Sequence, residues 1–124
     1  KTDYLWPVKG KILSKYGLLA KGLRNDGINI SGNKGDPVFA SKDGKVVYAG
    51  NEIQAFGNLI LIKHYDNKTT AYAHLDKIKV KKGQTVKKGE VIAVLGNSGK
   101  VSKPQLHFEL RDSNGPLNPL KYLP

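Results

Sequence analysis

The stretch VKKGQTVKKGEVIAVLG, residues 80–96, decides how this chain folds. Two Lys-Lys-Gly turns bracket the short pair Thr85-Val86, and the second turn opens the apolar run EVIAVLG (90–96). Gly beside charged residues marks tight turns, and β-branched residues between such turns favour strands. An earlier segment, KGDPVFASKDGKVV (34–47), repeats the order. Each has a Lys-Gly, a Val four residues after that Lys, and a later Gly opening another strand. The echo predicts two similar hairpins packed together.

Working outward, short β-branched runs continue along the chain: INI (28–30), PVFAS (37–41), KVVYAG (45–50), NLILIKHY (58–65), TTAYAHL (69–75), KIKV (77–80) and QLHFELR (105–111). Turn signals such as SGNKGD, YDNK, GNSGK and DSNGP separate them. No segment sustains a 3.6-residue apolar period, so no helix is expected. Evenly spaced short strands with Gly-rich turns predict an all-β protein of compact antiparallel sheets.

The 124 residues suffice for one domain, 1–124, and are too few for two ordinary ones. No apolar run approaches the roughly 20 residues that cross a bilayer. The start KTDYLWPVKG reads as a mature fragment excised from a longer precursor, and a monomer is expected. Absence of Cys rules out disulfides and thiolate zinc sites. The net charge of +11 favours acidic partners, yet only Arg24 and Arg111 among the 21 basic residues are arginines. Lys is a hydrated point charge without the planar fork used to read phosphates and bases. With aromatics at 8% and Lys clusters lying in turns, no stacking platform is evident and nucleic acid is set aside.

Chemistry concentrates in KPQLHFEL (103–110). On a strand Gln105, His107 and Glu109 share one face, and Leu106, Phe108 and Leu110 the other. On the residues alone, His74 and His107 read first as structural histidines paired to backbone, and His64 as a strand-end structural residue.

The hairpin VKKGQTVKKGEVIAVLG resembles half of a biotinyl or lipoyl carrier domain, but Lys100 in LGNSGK lacks the apolar neighbours of a modified lysine. A wider likeness covers Trp6 to Pro124. RNDGINISGNKGDPVFASKDGKVVYAG, TTAYAHL and PQLHFELR, in order and with ordinary spacing, resemble a LytM/lysostaphin-type peptidase domain. That resemblance implies a barrel-sandwich-like duplicated hairpin arrangement. Active members are zinc endopeptidases of bacterial cell walls. Their His-x-Gly-x-Asp, Tyr-x-His and His-x-His motifs supply three ligands (His, Asp and the last His) and two assisting histidines.

Carried over residue by residue, the pattern breaks. The first motif is Asn25-Asp26-Gly27-Ile28-Asn29, so both ligand positions hold amides; Tyr72-Ala73-His74 survives; the last is Gln105-Leu106-His107. A catalytic zinc needs three protein ligands and an open position for water. Asn lacks the charge and basicity of those ligands, so neither metal nor cofactor is expected. Asp26 should point away from Asn25 if the run is extended, and Glu109 matches an acid that is not a ligand in active relatives. Asn25, Asn29 and Gln105 are either drift in a dead site or hydrogen-bonding replacements that hold the cleft without metal charge.

The resemblance then implies a non-catalytic regulator, similar to the degenerate LytM domains of the NlpD, EnvC and DipM kind and most like the NlpD type in GPLNPLKYLP. Those bind and activate N-acetylmuramoyl-L-alanine amidases in cell division. The expected location is the periplasm or cell envelope of a Gram-negative bacterium, with outer-membrane anchoring through a preceding region. The expected binding groove is ringed by Arg24, Asn25, Asn29, Tyr72, His74, Lys103, Gln105 and His107. Two other expectations follow from the same cleft: a peptidoglycan-binding module with no activating role, and a zinc endopeptidase with an unorthodox ligand set.

Overall fold

A computed structural model describes residues 3–124. Twelve strands alternate with turns: β1 (Ile12–Ser14), β2 (Gly17–Leu18), β3 (Arg24–Asn25), β4 (Ile28–Ser31), β5 (Pro37–Phe39), β6 (Gly44–Gly50), β7 (Asn58–His64), β8 (Thr69–Ile78), β9 (Thr85–Val86), β10 (Val91–Leu95), β11 (Gln105–Asp112) and β12 (Gly115–Leu117). Helix is confined to two three-residue 3-10 turns, Ala20–Gly22 and Pro119–Lys121. Among the described residues no helix is long and apolar enough to cross a membrane.

Ten strands form one antiparallel sheet in the order β1-β4-β11-β8-β7-β6-β9, with β10 joining β8 to β5 and β12 on β11; β2 and β3 form a separate hairpin. The two echoed segments are packed as expected, by exchange: β5 pairs with β10, and β6 with β9. Equivalent hydrogen bonds close both crossings. Gly35 N–H donates to Leu95 O (2.8 Å) and Gly83 N–H to Val46 O (2.7 Å), while Leu95 N–H donates to Asp36 O (2.8 Å) and Val46 N–H to Gln84 O (2.9 Å). The duplicated-hairpin expectation therefore rests on paired backbone geometry.

Alternation puts Ile28, Ile30, Ile60, Ile62, Tyr72, Leu106, Phe108 and Leu110 into one fully buried core. The opposite face of β7 and β8 carries a smaller cluster, Leu59, Ala71 and Ala73, with Phe56, Tyr48 and Leu61 against it. Ala71 and Ala73 are the cross-strand partners of Glu109 and His107, and these small side chains leave the polar row of β11 room.

Alternation fails in β8 near His74. Asn58 pairs with Leu75 but Ile60 with Tyr72, so β8 carries one extra residue, a β-bulge, and His74 there has φ = 68°. Leu75 thereby reaches the core beside Tyr72.

Candidate functional site

The row Asn29, His107, Ala73 runs across β4, β11 and β8 as direct cross-strand neighbours. Gly27 permits this row: a Cβ there would lie 2.2 Å from Phe108 O, so only glycine lets this part of the chain close on β11. Around the row is a chain of amides with one direction. Gly27 N–H donates to Asn25 Oδ1 (3.0 Å), which turns Asn25 Nδ2 towards Asn29 Oδ1 (3.0 Å) and Ser14 Oγ (3.0 Å). Asn29 Nδ2 then donates to Gln105 Oε1 (2.9 Å), and Gln105 Nε2 to the Lys103 carbonyl (3.3 Å). A backbone donor at one end and a backbone acceptor at the other fix every amide orientation.

His107 joins this chain through Nδ1, 3.1 Å from Asn29 Oδ1, and through Nε2 meets Glu109 Oε2 at 2.7 Å. Glu109 is buried and also accepts from Arg111. Burial works against its charge, but the hydrogen bonds and charges of His107 and Arg111 outweigh it and hold the carboxyl below its ordinary range. The Phe56 ring stacks on His107, centroids 5.5 Å apart and 14° between planes. Phe56 is held by its carbonyl, which accepts from His74 N–H (2.8 Å).

The bulge delivers His74 to the same place, its ring 6.2 Å from that of His107. Its Nδ1 donates to the Ser98 carbonyl (2.8 Å), so Nε2 is left as an acceptor. Burial is the main cause of its lowered proton affinity; His107 adds to it, and the Ser98 bond opposes it.

Of the eight residues expected around the groove, five converge: Asn25, Asn29, His74, Gln105 and His107. Lys103 is exposed and joins only through its backbone carbonyl. Arg24 lies beside Asn25 on β3, but its guanidinium bonds Tyr16 Oη (3.0 Å) and pairs with Asp26 (3.3 Å). Asp26 is thus directed to Arg24. Tyr72 requires correction: it does not line the groove. It is fully buried in the core, its hydroxyl bonded to Ser41 N–H and Thr70 Oγ1, because the bulge at His74 breaks the shared face that Tyr-x-His spacing implies.

Sequence reasoning missed Phe56, Ser14 and Ser98, which contact the cluster from loops and short elements with no motif of their own. It also missed the rim. Leu18 (77% exposed) and Leu23 (64%) project from the hairpin that ends at Asn25, and Ile53 (48%) from the loop carrying Phe56. A cavity of about 530 Å³ lies elsewhere, between Leu5, Trp6 and Phe39. It holds no cluster of chemical groups, so the polar cluster and its rim are the stronger candidate.

Fold and site together define an all-β scaffold with a linked amide–imidazole cluster across β4, β11 and β8. The Peptidase family M23 profile matches residues 23–119. The chain belongs to that family. It is 46% identical over its whole length to the cell division protein DipM of Caulobacter vibrioides, covering 21% of that protein. It is 47% identical over 99% of its length to the murein hydrolase activator NlpD of Escherichia coli, covering 32%. It thus spans a fifth to a third of these relatives. A zinc-containing peptidase from Vibrio cholerae superposes with a TM-score of 0.88 at 35% identity, over all of this chain and 41% of that one.

The residues here do not fit that zinc ion. Among the described residues no three of His, Cys, Asp or Glu are grouped to hold a metal. His107 Nδ1 faces an amide oxygen, and both asparagines are engaged in the amide chain. Neutral amide oxygens are poor zinc ligands.

Proposed function

We propose that this chain is a non-catalytic regulator in the envelope of a Gram-negative bacterium, part of a longer protein, that binds and activates a peptidoglycan amidase. The binding surface is the amide–imidazole cluster with its rim of Leu18, Leu23 and Ile53. One observation carries the reading: the positions that would hold metal are joined in a directed hydrogen-bond chain anchored on backbone at both ends. Such a chain keeps the scaffold rigid without a metal ion and offers hydrolysis no activated water. Exposed leucines beside it supply the apolar contact that a protein partner needs. The names of the two relatives, an activator and a cell division protein, support the same role.

The test is an N-acetylmuramoyl-L-alanine amidase from the same organism acting on purified sacculi, with and without this chain. Release of soluble fragments should rise when the chain is added and stay at background with the chain alone, zinc present or not. No rise removes the activator reading; release by the chain alone with zinc replaces it with the peptidase reading.

A further inference from the structure

Residues 5–10 run past β5, tied to it where Phe39 N–H donates to Pro7 O (2.8 Å), and the cavity of about 530 Å³ lies against both. Leu5, Trp6, Val8 and Phe39 form its walls, and the charged residue among those lining it is Lys9, exposed at the rim. Val8 is buried and the other three apolar side chains are half-buried, so the apolar surface is a hollow and does not project. Polar groups around it are already spent. Trp6 Nε1–H donates to Pro124 O (2.8 Å), Leu5 N–H to Ser41 O (2.8 Å) and Gly89 N–H to Ala40 O (2.8 Å), while Leu5 O accepts from Ser41 Oγ (2.6 Å). Among the described residues Lys9 forms no ion pair. A smaller hollow of about 260 Å³ continues past Val8, Lys9 and Phe39 to Asp36.

These walls select by what they cannot satisfy. A peptide laid in the hollow would bring N–H and C=O groups for which the spent wall has no partners. A bilayer surface is met by apolar side chains that protrude, and here they recede. A hydrocarbon chain brings no polar group, and the volume falls within the roughly 300–1,000 Å³ of small-ligand sites. At the rim the unpaired Lys9 ammonium favours an acidic head over a neutral or cationic one, and the Asp36 carboxylate keeps that head out of the smaller hollow. We propose that this hollow binds a single acyl chain carrying an acidic head group, a fatty acid being the simplest case. It shares no residue with the amide cluster, so both sites can be filled at once.

Trp6 is the one tryptophan of the chain, so its fluorescence reports on the hollow directly. The test is titration of the 124-residue chain with octanoate, decanoate and dodecanoate, each below its micelle concentration. The expected result is a blue shift that saturates at one ligand per chain. Affinity rises about fourfold for each added methylene until the hollow is full. Dodecyltrimethylammonium binds severalfold more weakly than dodecanoate, and Lys9→Glu narrows that gap. Leu5→Asp, with its thermal midpoint checked, weakens dodecanoate binding severalfold. Affinity that ignores chain length, a shift that does not saturate, or equal binding of the ammonium amphiphile overturns the proposal. A shift seen only with phosphatidylglycerol vesicles also overturns it, making the contact a lipid surface. So does one seen only with an acidic amphipathic peptide, or one that appears on concentrating the chain alone, which would make the occupant a protein segment or a second copy. Amidase activation does not enter this readout, so this inference and the regulator reading fail separately.

Discussion

His107 Nδ1 lies 3.1 Å from Oδ1 of Asn29, its direct partner across β11 and β4. The amide chain fixes that atom of Asn29 as oxygen, so this ring nitrogen meets an amide oxygen and not an open position. Nε2 faces the Glu109 carboxylate, an arrangement that in metal sites orients a ligating imidazole. Here that carboxylate sits beside an imidazole whose other nitrogen faces an amide oxygen.

Restoring charge and basicity should restore metal affinity. The double variant Asn25→His, Asn29→Asp places an imidazole and a carboxylate beside His107. Its thermal stability should rise with added zinc, by about 2.7 kcal/mol at a hundredfold excess over the dissociation constant. The parent chain should show no zinc-dependent shift in the same calorimetric titration.

Phe56→Ala removes the ring stacked on His107 and opens the small cluster around Ala71 and Ala73. The expected loss is about 1–3 kcal/mol, part burial and part stacking, read from urea denaturation. Amidase activation should fall further than stability does.

Gly27→Ala should be among the most damaging single changes. Its Cβ would meet the Phe108 carbonyl at 2.2 Å, so β4 and β11 must separate. A loss of about 2–4 kcal/mol is expected, with the His107 ring resonances shifted. Unchanged denaturation would mean that the two strands are not so closely apposed.

Leu18→Asp and Leu23→Asp change exposed side chains, 77% and 64% accessible, so stability should move by no more than about 0.5 kcal/mol. Activation of the amidase should drop severalfold. Full activation by both variants would remove the hairpin from the partner surface.

Acid should weaken the fold in two stages. Burial holds His64 below its usual range, against the opposing bond to the Asp43 carbonyl, and its Nε2 accepts from Thr70 at 2.8 Å. The unfolded chain takes up this proton near pH 6.5 and the folded chain does not. Stability from His64 is therefore present above that pH and lost as pH falls through it. Asp66 works lower. Burial raises its pKa, but bonds to Tyr4 and Lys42 and the nearby lysine charges bring it down to about 2, so its contribution disappears between roughly pH 4 and 2. Nitrogen NMR of His64 at pH 6 should show a neutral ring protonated on Nδ1; an imidazolium there would contradict the hydroxyl chain from Thr70 to Tyr72.

Strong alternation was legible residue by residue. The runs at 28–30, 45–50, 58–65 and 105–111 became β4, β6, β7 and β11 with small shifts at their ends. TTAYAHL (69–75) and the first half of KIKV (77–80), read as two strands, belong to the single strand β8, because the ladder to β10 continues past Asp76 through a register shift. β1, β2, β3, β9 and β12 are two or three residues long and lack enough alternation to stand out. Tyr72 was misplaced for the same reason that β8 was divided: a two-residue period holds only while no residue is inserted.

By itself the sequence determined the chemistry available: amides at Asn25, Asn29 and Gln105, an imidazole at His107, and two echoed hairpins whose turns and β-branched runs favour sheets. Those are properties of residue type and spacing, and they survive without coordinates. Tertiary structure decided the rest. The direction of the amide chain is set by Gly27 N–H and the Lys103 carbonyl, which lie far apart in sequence. The bulge turns His74 towards His107, and a loop some fifty residues before His107 brings Phe56 onto its ring. Hydrogen-bond direction and side-chain facing depend on which strands become neighbours, and cross-strand register is a long-range outcome that local pattern does not encode.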